Sequence, residues 1–233
     1  TTITTSGGNI TLGGGTALTG AGFAIADGVG TLKGISLTSA TINAGGGNIV
    51  MNGQSAASNY QVSLSNVDGI YMSGGSISTT GSGTIDLTGK NQNTDTQSKG
   101  FEFVSGTITG GSTGAVTITG DSRGVASSTY TYIRGALIGG TVTSAGGNIS
   151  ITGYGGAGVQ YDYGVDLSGS VTTVGSGAIN ITGTAGAGGS GGNVGVITSG
   201  TGTISSVNGA IAITGTGRSE ERRVGKECLR LCR

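Results

Sequence analysis

The sequence predicts an all-β chain wound as a parallel β-helix, a solenoid of about six to seven coils with loops of variable length. Three observations predict it. Glycine supplies 53 of the 233 residues, while Pro, His and Trp are absent. A short phrase of alternating apolar residues closed by glycine recurs along the chain. No stretch places apolar residues at i, i+3, i+4 and i+7 over three turns, so helices are not expected.

So much glycine is often a mark of disorder, but disorder goes with high net charge and few β-branched residues. Here the formal net charge is zero, and Ile, Val and Thr are abundant. The glycines therefore read as turn punctuation between short strands. No apolar run approaches the roughly 20 residues of a membrane-spanning helix, and no signal peptide is visible. The chain begins at Thr1 without a Met, and reads as a piece of a longer open reading frame.

The recurring phrase closes at Gly14, Gly53, Gly89, Gly120, Gly153, Gly183 and Gly215, giving intervals of 39, 36, 31, 33, 30 and 32 residues. Each repeat offers three strands. Strand a is apolar-x-apolar, as in Phe101-Glu102-Phe103; strand b centres on one β-branched residue, such as Ile108; strand c is the closing phrase, as in Ile149-Ser150-Ile151-Thr152-Gly153. Alternation sends successive side chains to opposite faces, so the repeat predicts inward stacks. Strand a gives Ile35, Ile70, Phe101 and Val165, and beside them Leu37, Met72, Phe103, Leu137 and Leu167. Strand b gives Ile42, Ile77, Ile108, Val142, Val171 and Ile204. Each buried aliphatic side chain contributes roughly 1.5–3 kcal/mol, too little for one repeat to offset its ordering entropy but enough for stacked neighbours. Variable stretches between strand c and the next strand a, such as 53–68 and 121–132, are expected as loops along one edge. Asn9, Asn48 and Asn148 precede strand c and suit a partial amide ladder. Thr88, Thr119, Thr152, Thr182 and Thr214 stand in register before the closing glycine.

Residues 218–233 differ in kind. They carry six of the eleven Lys/Arg and both cysteines, Cys228 and Cys232. Arg218 to Cys228, RSEERRVGKEC, resembles the in-frame translation of a short-read sequencing adapter. The chain thus divides into a repeat region, 1–217, and a non-native tail, 218–233, expected to be disordered and to lie outside the repeat fold. With the basic tail removed, no nucleic-acid partner is expected.

The phrasing, with Gly-Gly-Asn-Ile-x-Ile-Thr-Gly at 146–153 and Gly-Val-x-Leu at 164–167, resembles the repeat region of filamentous-haemagglutinin-like exoproteins. The resemblance covers residues 1 to about 217, and autotransporter passengers use similar text. It implies a right-handed parallel β-helix, an extracellular or cell-surface location in a Gram-negative bacterium, export through an outer-membrane transporter without stable membrane insertion, and a role in adhesion or biofilm.

Little in the repeat region carries chemistry. Without His there is no imidazole base or metal ligand, and no metal or cofactor is expected. The Gly-rich stretch 186–195 lacks the Lys-Ser/Thr end of a phosphate loop. Some β-helices cleave polysaccharides with paired acids. Glu102 and Asp166 share the outward middle position of strand a two repeats apart, about 9.6 Å along the rod, with Ala136 expected between them. They are the acids of an enzyme alternative; the simpler reading is two solvated outward carboxylates. The outward strand c row (Thr11, Val50, Asp86, Thr117, Ser150, Asn180, Ala212) is too irregular for an ice-binding array. Tyr60, Tyr130, Tyr132, Tyr154, Tyr161 and Tyr163 fall in variable loops, where rings can stack on sugars or anchor a partner. Tyr154, Tyr161, Asp162 and Tyr163 form the candidate ligand patch, with a glycan or a cell-surface receptor as partner. The leading expectation is a non-enzymatic adhesive segment; a polysaccharide lyase or hydrolase and a non-adhesive stalk are the alternatives.

Overall fold

A computed structural model describes residues 1–14, 22–26, 32–57, 67–94, 98–127, 129, 131–189 and 191–217. The adapter-like tail, 218–233, and the loop tyrosines Tyr60 and Tyr130 lie outside the described residues. Among the described residues, eighteen strands form two parallel sheets and no helix occurs. The first sheet holds strands a and b: β1 (Thr2–Thr4), β4 (Ile35–Asn43), β6 (Ile70–Ser78), β8 (Lys99–Gly110), β10 (Arg134–Ile138), β11 (Thr141–Ser144), β13 (Val165–Leu167), β14 (Ser170–Thr173), β16 (Val196–Thr198) and β17 (Ile204–Ser206). The second holds strand c: β2 (Ile10–Leu12), β5 (Ile49–Gln54), β7 (Ile85–Lys90), β9 (Val116–Asp121), β12 (Ile149–Tyr154), β15 (Ile179–Thr184) and β18 (Ile211–Thr216), with β3 (Ala24–Ile25) added beside β5.

Each strand pairs with its equivalent one repeat away, which makes the chain a parallel β-solenoid. Ile108, Val142, Val171 and Ile204 are consecutive register partners, and the first three are fully buried. The strand c pairs stack likewise, Ile85 on Val116 on Ile149 on Ile179. The winding amounts to about five turns, slightly fewer than the six to seven expected. The terminal windings are thin: β1 and β2 have three residues each, and β18 is exposed throughout. Strands a and b run as one strand in β4, β6 and β8, bent where Ser39 (φ 49°) and Gly74 (φ 74°) adopt the left-handed conformation.

One inward column differs from expectation. Ile138, not Leu137, continues the Leu37–Met72–Phe103–Leu167 stack, and Ala136 continues the Ile70–Phe101–Val165 stack. The stretch Ala136-Leu137-Ile138 is apolar throughout, so a period of two cannot choose its face. A glycine column chooses it. A Cβ on Gly135 would lie 2.2 Å from the Tyr154 amide nitrogen, and one on Gly100 2.2 Å from that of Asp121. The closing glycines face back across the same gap: a Cβ on Gly120 would meet the Gly135 carbonyl oxygen at 2.1 Å, and one on Gly153 the Gly164 oxygen at 2.0 Å. The end of strand c and the start of strand a thus approach backbone to backbone, in a pinch that admits no side chain. Register follows these glycines, and the variable loops leave and return at the pinch, outside the core.

The corner between strands b and c is tied by asparagine, in a modified form of the expected ladder. The Asn48 N–H donates to Asn9 Oδ1 at 2.9 Å, the Thr84 N–H to Asn48 Oδ1 at 2.9 Å, and the Ala178 N–H to Asn148 Oδ1 at 2.8 Å. The amides bridge to the next coil's backbone rather than to one another.

Candidate functional site on the loop flank

Loops leaving the pinch do not simply project. They continue the ladder: the Asn91 N–H donates to Asp121 O at 2.8 Å, the Ser122 N–H to Tyr154 O at 2.9 Å, and the Gly155 N–H to Thr184 O at 2.9 Å. They fold over the outward face of strand a and hold most of the buried polar side chains among the described residues, including Asp68, Asn91, Lys99, Glu102, Asp162, Asp166 and Asn193.

Glu102 and Asp166 do share one outward row, with Leu137 rather than Ala136 between them. They are not solvated: each is only 6% exposed, beneath the loops. Each has its own cation, because Lys99 and Arg134 occupy equivalent positions just before the pinch glycine. Lys99 Nζ lies 3.0 Å from Glu102 Oε1, and Arg134 Nη1 lies 3.1 Å from Asp166 Oδ2. The Ser199 hydroxyl donates to Asp166 Oδ1 at 3.0 Å. Asp68 is fully buried and accepts the Lys99 backbone N–H at 3.0 Å. Burial, reinforced by the Glu102 charge, holds the Asp68 carboxyl well above the usual range. Asp68 Oδ2 and Glu102 Oε2 are each buried with no hydrogen-bond partner among the described residues.

Two members of the candidate patch, Tyr161 and Tyr163, come together with Tyr132. Tyr161 stacks on Tyr132 with ring centroids 5.1 Å apart and planes 21° apart, and meets Tyr163 edge-on at 6.4 Å. The Arg134 guanidinium lies 4.9 Å from the Tyr132 ring and 5.4 Å from the Tyr163 ring. Burial, foremost, raises the Tyr163 phenol above its ordinary value. Tyr132 and Tyr161 have φ of 62° and 60°. A side chain in that left-handed region costs roughly 1–2 kcal/mol, which the surrounding contacts must offset.

Two members of the candidate patch belong elsewhere. Tyr154 ends β12 on the second sheet, under the Arg123 guanidinium at 3.9 Å; Arg123 also grips Asp121 at 2.8 Å. Asp162 is fully buried and ties the loops together. It accepts the Ile133 N–H at 2.9 Å and the Gly158 N–H at 2.8 Å, while its own N–H donates to Asn193 Oδ1 at 2.9 Å. Burial outweighs those two hydrogen bonds and pushes its carboxyl up to about 6.

Sequence reasoning missed Lys99, Arg134, Asp68 and Ser199. The one available signal was Lys-Gly at 99–100 and Arg-Gly at 134–135, where the same charge type precedes the same pinch glycine. An open groove of about 520 Å³ is lined by Ala126, Ser127, Ala157, Gly158, Val159, Gly188 and Gly189, with no carboxylate among them. No group of three or more His, Cys, Asp or Glu gathers among the described residues.

No protein-family model, curated protein or solved structure significantly matches this chain.

Proposed function

We propose that this chain is a segment of a secreted, surface-exposed adhesin of the filamentous-haemagglutinin-like kind, in which the solenoid is the rod and the loop flank makes contact with a glycan or a cell-surface receptor. The observation that carries this reading is the Tyr132–Tyr161–Tyr163 cluster around Arg134. Aromatic faces and edges suit a sugar ring, and backbone strain at two of the rings favours a functional origin. Export by an outer-membrane transporter and an extracellular location belong to the same proposal.

The role proposed is binding, not catalysis. A polysaccharide-cleaving site needs two carboxyls facing one open cleft. Glu102 and Asp166 instead lie under loops in separate ion pairs. A glycan array and bacterial or host cells, probed with the chain and with its Tyr161→Ala/Tyr163→Ala variant, test the reading. Binding that falls in the variant supports it. Equal binding by both, with circular dichroism unchanged, removes the loop flank as the contact surface and leaves the stalk reading.

A further inference from the structure

A second surface lies on strand b, away from the loops. Each copy has one inward β-branched residue with an outward side chain on either side. Register aligns these outward positions into two columns, one running from Thr2 to Thr203 and the other from Thr4 to Ser205, with Thr107/Thr109 and Thr141/Thr143 at the centre. Every position in both columns is Thr or Ser except Asn43, and all are exposed or half-buried. Neighbouring hydroxyls repeat about 4.8 Å apart between coils and about 6.6 Å apart along a strand. Some touch: the Thr172 hydroxyl donates to Thr143 Oγ1 at 3.3 Å, and the Thr203 hydroxyl to Ser170 Oγ at 3.4 Å. Threonine is stiff at χ1, so the net is largely pre-set.

Exposed strands favour threonine in general, but that preference acts on both sheets. The matching outward row of strand c mixes Val50, Asp86, Thr117, Ser150, Asn180 and Ala212. Only strand b keeps hydroxyls in both columns. No charged or aromatic residue stands in those columns. A soluble ligand reads a few side chains, so regularity across all the coils suits a ligand that is itself a repeating solid. Absence of rings disfavours crystalline polysaccharide, whose sugar faces stack on aromatics. Hydroxyls beside methyl groups suit ordered water, anchoring some molecules by hydrogen bonds and caging others.

We propose that the strand b face binds ice, its two hydroxyl columns engaging the crystal's water lattice through the coil repeat. This stands independently of the loop-flank reading.

The 233-residue chain, fluorescently labelled on amines, would be partitioned into slowly grown polycrystalline ice and scored for crystal shaping and thermal hysteresis. The same would be done for Thr107→Lys/Thr143→Lys on strand b and Thr117→Lys on strand c, each checked by circular dichroism. The expected result is ice enrichment and faceted crystals for the parent and Thr117→Lys, with loss of both in the strand b variant. Should the double variant not fold, Thr143→Tyr, compatible with a strand, takes its place under the same criterion. Exclusion of the folded parent from ice, undiminished ice binding in the strand b variant, or retention on crystalline cellulose or chitin but not on ice would each overturn the proposal.

Discussion

Gly120→Ala isolates the pinch that sets the register of the solenoid. The added methyl would sit 2.1 Å from the Gly135 carbonyl oxygen, 2.5 Å from its carbon and 2.9 Å from the Ala136 nitrogen. All three are backbone atoms, so no rotamer change relieves the clash, and the two walls must separate by roughly 1 Å or more to restore ordinary contact. Overpacking of this kind costs about 1–3 kcal/mol, and the rigid neighbours place it near the top of that range. Alanine returns about 0.4–1 kcal/mol by restricting the unfolded chain. The net loss is about 2 kcal/mol, a fall of roughly 4–8 °C in melting midpoint for a chain of this size. Gly124→Ala is the control, since a Cβ there meets nothing within 4 Å; it should be neutral or slightly stabilising. Melting followed by far-ultraviolet circular dichroism compares the two, with hydrogen exchange to detect uncoupling of neighbouring coils. Equal midpoints for Gly120→Ala and Gly124→Ala would refute the pinch.

Three further outcomes are expected. Ile138→Ala, at a fully buried site, should cost about 2–5 kcal/mol, while Leu137→Ala on the outward face should cost much less; the reverse order in urea titrations would restore the register read from the sequence. Asp162, with its carboxyl raised to about 6, stabilises the fold fully below its unfolded value near 4, and that contribution is lost as pH rises through 6. Asp68 is raised as well and acts in the same sense. The fold should therefore be more stable at pH 5 than at pH 7.5, by about 1 kcal/mol from Asp162, and melt at a correspondingly higher temperature. Asp162→Asn should flatten that slope while lowering stability throughout, because an amide oxygen can accept only one of the two N–H bonds that the carboxylate takes; an unchanged slope would reassign the titration. Finally, β18 exposes Ile211 and Ile213 at 44% and 48%, and its outer edge has no partner among the described residues. Such an edge recruits strands, so the chain should form concentration-dependent assemblies in analytical ultracentrifugation, and Ile213→Lys should reduce them.

The repeat determined more than a fold class. Its strand b triplet, one apolar residue between two polar ones, put Ile77, Ile108, Val142 and Val171 into one buried column, as found. Alternation with a single reading needs no partner to be decoded. Where it was degenerate, at Ala136-Leu137-Ile138, the face was decided by backbone contact at Gly135. The candidate site was legible only in part. Tyr161 and Tyr163 were identifiable as loop aromatics, but what joins them to Tyr132 and Arg134 is stacking between coils.

From the sequence alone came the winding unit, its period and its inward aliphatics, because a two-residue alternation repeated with glycine punctuation has one cooperative way to bury its apolar side. Tertiary structure alone decided which loop residues are surface and which are interior. Loops of unequal length carry no period, so nothing local announced that they would fold over strand a, bury Asp162 and give Glu102 and Asp166 separate cations. The same holds for the hydroxyl face of strand b: each copy spells only a short polar–apolar–polar triplet, and the array exists only once the coils are stacked in register.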